Sequence, residues 1–249
     1  MNDILMRQLA LDYCCSPEEA ADRANHFRIW RKLPGRRCFQ EKSGCFLKLA
    51  VVGGKLLFAG REEIIAWCRE RYAADSAAWF LEPKNLRTLD DRLHAAGWQI
   101  EMLHPFYIAE QPSALPETQY SLRFYEAAEI EAFRGDERFG EAFCFDPAAP
   151  DLLGVAAVDG ERILGMAGAS GDSPTMWQIG INVLPEAQGR GIAKTLVAAL
   201  KNEVLRRGIL PFYGTSFSHL ASQRTALAAG FSPAWVELVT SPLPQDPTH

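Results

Sequence analysis

Hydrophobic and polar positions along the chain switch repeatedly between the period of a strand and that of a helix. Residues 45–60 are mostly apolar and are divided by Gly53-Gly54, a dipeptide suited to a tight turn, so they predict a β-hairpin. A second hairpin is predicted over 152–169, with its turn at Asp159-Gly160. Apolar residues recur every four positions from Ile192 to Val204, which predicts a helix ending near Arg207. The same reasoning predicts helices from Ser16 toward Asn25 and over 61–72, 85–96, 126–134 and 220–229, and strands over 78–82, 99–108, 176–184, 211–217 and 234–240.

These elements predict an α/β protein with a mixed sheet, and the length of 249 residues allows two units of about 125 residues each. The proline-containing stretch 111–117 predicts a linker, which gives domains 1–118 and 119–249. A tail rich in proline, from Ser241 onward, is expected to be loose.

A short repeat links the two halves. Ala95-Ala96-Gly97-Trp98 and Ala228-Ala229-Gly230-Phe231 each end a predicted helix and lead into a strand, and each follows a hairpin that turns at glycine. The first copy is 27 residues shorter from turn to helix end, about one strand and one long helix. Either the halves are duplicates and the first lacks an equivalent of 176–203, or helix ends simply reuse glycine for capping.

Composition and charge narrow the class of protein. The chain is 48% apolar and 23% charged, which is typical of a globular protein. The chain has 26 basic and 31 acidic residues, and 10 of the basic and 15 of the acidic residues follow Thr118. The net charge of −5 therefore lies in the second half, and this acidic excess argues against nucleic-acid binding. The six cysteines show no zinc-ligand spacing, and no apolar run reaches the roughly 20 residues of a membrane span. We therefore expect free thiols, no metal, no membrane segment, no targeting segment and a cytoplasmic location.

The strongest chemical signal follows the strand 176–184. Pro185 ends that strand, and the turn Gln188–Ala193 leads into the helix beginning at Ile192. Gly189 and Gly191 allow several backbone N–H groups to converge at the positive end of the helix dipole, which favours a bound phosphate. The chain contains neither a P-loop nor a dinucleotide-binding glycine pattern.

The turn Gln188-Gly189-Arg190-Gly191-Ile192-Ala193, after a strand ending Val183-Leu184-Pro185, resembles the acetyl-CoA motif of the Gcn5-related N-acetyltransferase (GNAT) superfamily. The strand, helix and strand over 211–240 resemble the end of that fold, so the likeness covers about residues 120–240. The wider sequence is similar to an uncharacterised bacterial subgroup with an extra N-terminal domain. The resemblance implies a GNAT acyl-CoA N-acyltransferase fold in the second half, with a truncated GNAT-like first half that helps to shape the acceptor cleft.

The resemblance also implies a reaction and a co-substrate. An acetyl group would pass from acetyl-CoA to a primary amine of a small molecule or peptide, by direct attack in a ternary complex. The thioester would lie in a gap between strands 176–184 and 211–217; a homodimer is left open. The residues implied for the cofactor are the backbone groups of Ile181 and Val183 for pantetheine, and the N–H groups of Gln188, Gly189, Arg190, Gly191, Ile192 and Ala193 for the pyrophosphate.

Candidates for the base and the acid are less well marked. Members of the family commonly have a tyrosine that acts as the general acid and protonates the departing CoA thiolate. This chain has Ala226 at that position, so either Tyr213 replaces the acid or the thiolate leaves unassisted. Strand 176–184 carries no carboxylate, which leaves His219, Asp172 and Glu237 as candidate bases. Each has a structural alternative: a local hydrogen bond at a helix start, a turn-capping aspartate and a solvent-facing strand residue.

These gaps in the pattern keep two other functions open. One is a non-catalytic module that binds acyl-CoA, and the other is an acyltransferase that uses a different acyl donor.

Overall fold

The computed structural model describes residues 2–37 and 45–244, and within these ranges the chain forms ten strands and seven α-helices. The strands are β1 His26–Ile29, β2 Leu47–Val52, β3 Lys55–Gly60, β4 Trp98–Ile108, β5 Ser121–Glu126, β6 Asp151–Asp159, β7 Arg162–Ser170, β8 Met176–Val183, β9 Leu210–Gly214 and β10 Ser232–Pro242. The helices are α1 Asp3–Asp12, α2 Pro17–Ala21, α3 Glu62–Tyr72, α4 Pro83–His94, α5 Ala127–Ile130, α6 Ile192–Arg206 and α7 Leu220–Ala228. The predicted mixed α/β fold is confirmed.

All ten strands form one mixed sheet in the order β1-β3-β2-β10-β4-β9-β8-β7-β6-β5. The closing strand of each sequence half lies beside strands of the other half. Strand β4 pairs with β9 over Phe106–Ile108, and β10 pairs with β2 over Trp235–Val239. Strands from before and after residue 118 therefore belong to one continuous sheet, and the domain boundary proposed at that residue stays a prediction.

The two repeated strings lead into the two central strands. Gly97 and Gly230 both have positive φ, +78° and +89°, as expected for glycines that end helices. Strands β4 and β10 then pair antiparallel, with Trp98 opposite Pro242 and Ile108 opposite Ser232. The repeat thus marks two equivalent positions around the centre of the sheet.

Apolar side chains form three buried clusters. One lies under α6 in the second half, and one lies under α3 and α4 in the first. The third lies on the opposite face of the central strands, where Leu5 and Leu9 of α1 pack with Met176, Phe212 and Trp235. Helix α1 therefore covers the junction between the halves.

Strong local signals are confirmed. Ser16 caps α2 in a capping box with Glu19, and Gly53 and Gly54 both have positive φ in the hairpin between β2 and β3. Helix α2 ends at Ala21, short of Asn25, because its last carbonyl groups accept hydrogen bonds from the buried ammonium of Lys55.

Three predictions of local structure are wrong. Residues 78–82 do not form a strand: Ala77–Trp79 is a 3-10 helix with Phe80 as its C-cap, and Ala77 and Phe80 are buried at a spacing of three. Asp159 pairs with Arg162, so the second hairpin turns at Gly160 and Glu161 rather than at Asp159-Gly160. Strand β9 ends at Gly214 instead of residue 217.

The pattern did not indicate α1 or β1, and it placed the end of the last strand too early. Helix α1 buries the polar side chains Gln8 and Asp12 among its apolar residues, which breaks the stripe that a hydrophobic periodicity would show. Strand β10 includes Ser241 and Pro242, so the tail is ordered to that point, and the rest of the proposed loose tail beyond residue 244 lies outside the described residues, as does Cys38.

In the described part of the chain, no helix has the length and apolar character needed to cross a membrane. Within the same residues, no group of three or more His, Cys, Asp and Glu side chains is arranged to hold a metal ion.

Candidate functional site

Strands β8 and β9 separate after a short paired segment. They pair in parallel only over Met176–Gln178 and Leu210–Phe212. The N–H of Leu210 donates to the carbonyl of Thr175, whereas the N–H of Leu184 donates to β7 on the other side. Because backbone groups alternate sides along a strand, those of Ile181 and Val183 face the gap beyond Gln178.

A cleft of about 900 Å³ occupies this gap. Its walls come from β8, from the turn into α6, from β9 and α7, and from β4 of the first half. Its lining includes His104, Phe106, Glu141, Cys144, Gln178, Gly180, Ile181, Asn182, Val183, Gln188, Gly189, Gly191, Ile192, Ala193, Lys194, Tyr213, His219, Ser222 and Arg224.

The turn into α6 has the geometry of an anion site. Gly189 and Gly191 have φ of +76° and +79°, and an added Cβ at either would meet no protein atom within 4 Å. Gly191 is the N-cap of α6 and has no capping side chain, so the first N–H groups of the helix stay available to a ligand. Lys194 and Arg224 add positive charge to this side of the cleft.

The segment that follows the 3-10 helix Glu137–Phe139 forms a further wall of the cleft. The N–H groups of Glu141 and Ala142 donate to Oδ1 of Asn182, at 2.9 and 2.8 Å. The segment crosses β8 so closely that a Cβ on Gly180 would lie 1.8 Å from the carbonyl oxygen of Glu141. Glu141 therefore lies over β8 two residues beyond the last pairing with β9.

The sequence model of the Acetyltransferase (GNAT) family matches residues 112–231. This chain carries a GNAT acetyltransferase domain. It is accordingly a transferase, and the predicted family is confirmed; the extra N-terminal domain stays a prediction. The cleft, the glycine turn and the parting of β8 and β9 all lie within the matched GNAT residues, apart from the wall that β4 contributes.

Several solved structures are similar to this chain. A GCN5-related N-acetyltransferase-like protein from Streptococcus suis is 15% identical, with 93% of this chain and 97% of that chain covered and a TM-score of 0.48. A GCN5-related N-acetyltransferase from Sphaerobacter thermophilus is 19% identical, with coverage of 64% and 58% and a TM-score of 0.46. An aminoglycoside N-acetyltransferase in complex with CoA is 26% identical, with coverage of 45% and 91% and a TM-score of 0.34. No curated protein sequence matches the chain.

Of the residues predicted to hold the cofactor, all but one line the cleft of the GNAT domain. Arg190 is exposed and lies outside the lining. Glu186, just before the glycine turn, forms an ion pair with Arg162 at the surface.

Tyr213 is the candidate acid that the structure brings into the cleft. Its hydroxyl shares a 2.8 Å hydrogen bond with Oγ of Ser222 on α7. Burial raises the pKa of Tyr213, the hydrogen bond with Ser222 lowers it, and the negative charge of Glu141 raises it, with a net increase. The phenol therefore stays protonated at neutral pH and can donate a proton.

The three candidate bases lie in different places. His219 lines the cleft as the exposed N-cap of α7, where its side chain makes no capping hydrogen bond. Asp172 is buried and outside the lining; burial raises its pKa and a hydrogen bond from Ser170 lowers it, with a net rise to about 6. Glu237 is also buried, where it accepts hydrogen bonds from Arg37 and from Trp235. The structural alternative for Glu237, a strand residue that faces solvent, is therefore wrong, because its carboxylate is held in a buried ion pair with Arg37.

Sequence reasoning missed Glu141, His104 and Phe106 as residues of the cleft. His104 and Phe106 come from β4 of the first half, and Glu141 comes from an irregular segment about 40 residues before β8. One signal was present: a glycine inside a strand, here Gly180, often marks the close approach of another backbone.

We expect Gly180→Ala to lower the free energy of unfolding by about 1–3 kcal/mol, as overpacking of a close backbone contact does. The new methyl group would displace the carbonyl of Glu141 and disturb both hydrogen bonds to Asn182. Urea denaturation measures the change.

Gly140→Ala is the matched control in the same segment. Gly140 has φ of −65°, and an added Cβ would approach no atom closer than 3.8 Å, so its effect should stay within about 0.5 kcal/mol. Equal stability of both variants would contradict the close crossing of Glu141 over β8.

Proposed function

We propose that the protein transfers an acetyl group from acetyl-CoA to the primary amine of a small-molecule or peptide acceptor, by direct attack in a ternary complex. The observation that carries this proposal is the gap between β8 and β9, which opens beside a glycine turn with available helix N–H groups. A thioester arm and a pyrophosphate would need these two features side by side.

The residues of the cleft fit the parts of such a co-substrate. Backbone groups of Ile181 and Val183 would hydrogen-bond the pantetheine arm in the manner of an added strand. The N–H groups from Gln188 to Ala193 would hold the pyrophosphate, and Lys194 and Arg224 would add charge; Arg190 would act from the rim. When bound, acetyl-CoA supplies the carbonyl carbon that the amine attacks and the thiolate that leaves.

Two side chains would then handle protons. Tyr213 would donate its hydroxyl proton toward the leaving sulfur and be reprotonated through Ser222. His219, at the mouth of the cleft, is kept as a candidate base or a contact to the co-substrate. Asp172 and Glu237, which lie outside the lining, are not given a catalytic role. Location in the cytoplasm and a homodimeric state stay predictions.

Thermal unfolding with and without acetyl-CoA tests binding. At a concentration 100 times the dissociation constant we expect about 2.7 kcal/mol of added stability. Thiol release from acetyl-CoA, assayed over a panel of primary amines, then tests transfer.

Stabilisation without thiol release would favour a binding module, which the alanine at position 226 still permits. Thiol release only from longer acyl-CoA donors would favour an acyltransferase that uses a different acyl donor. Absence of stabilisation by any CoA compound would contradict the whole assignment.

A further inference from the structure

Charge is distributed unevenly around the cleft. The cations among the described lining residues, Lys194 and Arg224, belong to α6 and α7 on the side of the glycine turn. Glu141 is the one acidic residue of that lining, and its main-chain carbonyl lies over Gly180 on the opposite wall. The cleft therefore has a side suited to phosphate and a side suited to a cation.

Glu141 is held in place without being neutralised. Asn182 fixes its main chain through two hydrogen bonds from a position on β8 itself. Within residues 2–37 and 45–244, the carboxylate of Glu141 forms no ion pair, whereas the exposed Glu186 is paired with Arg162. The negative charge of Glu141 is consequently available to a ligand.

On β8 itself, the side-chain oxygen of Gln178 lacks a hydrogen-bond donor in the described part of the chain. Oε1 of Gln178 is buried and finds no hydrogen-bond partner among the described residues. Gln178 lines the cleft at the last position where β8 pairs with β9. A buried acceptor without a donor is costly, so a ligand N–H group that reached this oxygen through a small shift of the Gln178 side chain would satisfy it.

Two further titratable groups of the lining carry no positive charge at neutral pH. Burial raises the pKa of the Cys144 thiol, and the carboxylates of Asp151, Glu141, Asp172 and Asp146 raise it further. Burial lowers the pKa of His104, so this imidazole is neutral at pH 7. Both groups line the cleft, and neither would repel a cation.

We propose that Glu141 and Gln178 form an ammonium-binding site on the acceptor side of the cleft, so that the acceptor is a compact primary amine that is cationic at neutral pH. This inference rests on the proposed function, since it names the substrate class of the same site. The carboxylate would hold the –NH₃⁺ group by charge-assisted hydrogen bonds, and the amide oxygen of Gln178 would accept one further N–H. An acceptor with a second positive charge is favoured over one with a carboxylate, because the nearby fixed charges are negative.

The experiment is titration calorimetry with 1,5-diaminopentane and with 5-aminopentanoate, which has the same chain length and one carboxylate. Both are measured with the protein saturated with CoA and again without CoA. We expect the diamine to bind at least tenfold more tightly than the amino acid. Glu141→Gln should weaken diamine binding by about tenfold to 100-fold while leaving CoA affinity unchanged.

Glu186→Gln is the matched control, because it removes the same charge from an exposed residue outside the lining and should change neither affinity. Undetectable diamine binding, or equal diamine affinity in the wild type and in Glu141→Gln, would overturn the ammonium site. Failure of CoA itself to bind would instead count against the proposed function, and the titrations without CoA would still decide the ammonium site.

Discussion

Arg37→Met is expected to lower the free energy of unfolding by about 3–5 kcal/mol, the usual cost of removing one partner from a buried ion pair. The guanidinium of Arg37 is buried between Asp12 of α1 and Glu237 of β10, with Nη2 2.8 Å from Oε2 of Glu237. It also lies 5.0 Å from the ring centre of Trp235. Methionine would fill part of the volume and leave two buried carboxylates without their cation.

Urea denaturation at pH 7.5 measures this loss. Arg134→Met is the control, since Arg134 pairs with Glu131 at the surface and its removal should cost at most about 1 kcal/mol. A loss below about 1 kcal/mol in Arg37→Met would mean that the buried cluster does not hold α1 against the sheet.

The pH dependence has a defined sign. Burial raises the pKa of Asp12, but the charges of Arg37 and Lys48 and hydrogen bonds from Arg37 lower it more, so the net pKa lies below the ordinary 3.8. A carboxyl with a lowered folded pKa contributes stability above its unfolded pKa and loses it as the pH falls through the folded value. Without the guanidinium of Arg37 the buried carboxyl of Asp12 loses its ion-pair partner, and protonation relieves the part of its charge that is then uncompensated. The difference between wild type and Arg37→Met should therefore shrink as the pH is lowered from 7 toward 4.

The same cluster shows why Glu237 was a reasonable but incomplete prediction. A glutamate beside Trp235 on the last strand resembles a candidate base when only its neighbours in the sequence are known. Its actual partner, Arg37, is 200 residues away, and no local pattern predicts that contact.

Features fixed by local chemistry could be predicted from the sequence. The paired glycines at 53 and 54, the capping box at Ser16 and the glycine turn before α6 depend on residues within a few positions of each other. The placement of β10 between β2 and β4, and of Glu141 over Gly180, depends on how distant segments meet. Sequence periodicity carries no information about such neighbours, which is why the residues of the glycine turn could be placed in advance, whereas His104, Phe106 and Glu141 could not.

Gly191→Ala is expected to weaken the binding of CoA by about 100-fold, the equivalent of losing one or two charge-assisted hydrogen bonds to phosphate. Gly191 has φ of +79° as the N-cap of α6 and lines the cleft. Alanine disfavours this conformation by about 1–2 kcal/mol, so the turn would relax and its N–H groups would no longer converge. Titration calorimetry with CoA measures the affinity.

Gly208→Ala separates this effect from backbone strain. Gly208 follows the other end of α6 with φ of +78°, and an added Cβ at either glycine meets no protein atom within 4 Å. Both variants should therefore lose similar stability, but only Gly191→Ala should lose affinity for CoA. If the two variants bind CoA equally well, the turn before α6 does not hold the phosphates; if both bind weakly, strain in α6 rather than the N–H groups of the turn governs the affinity.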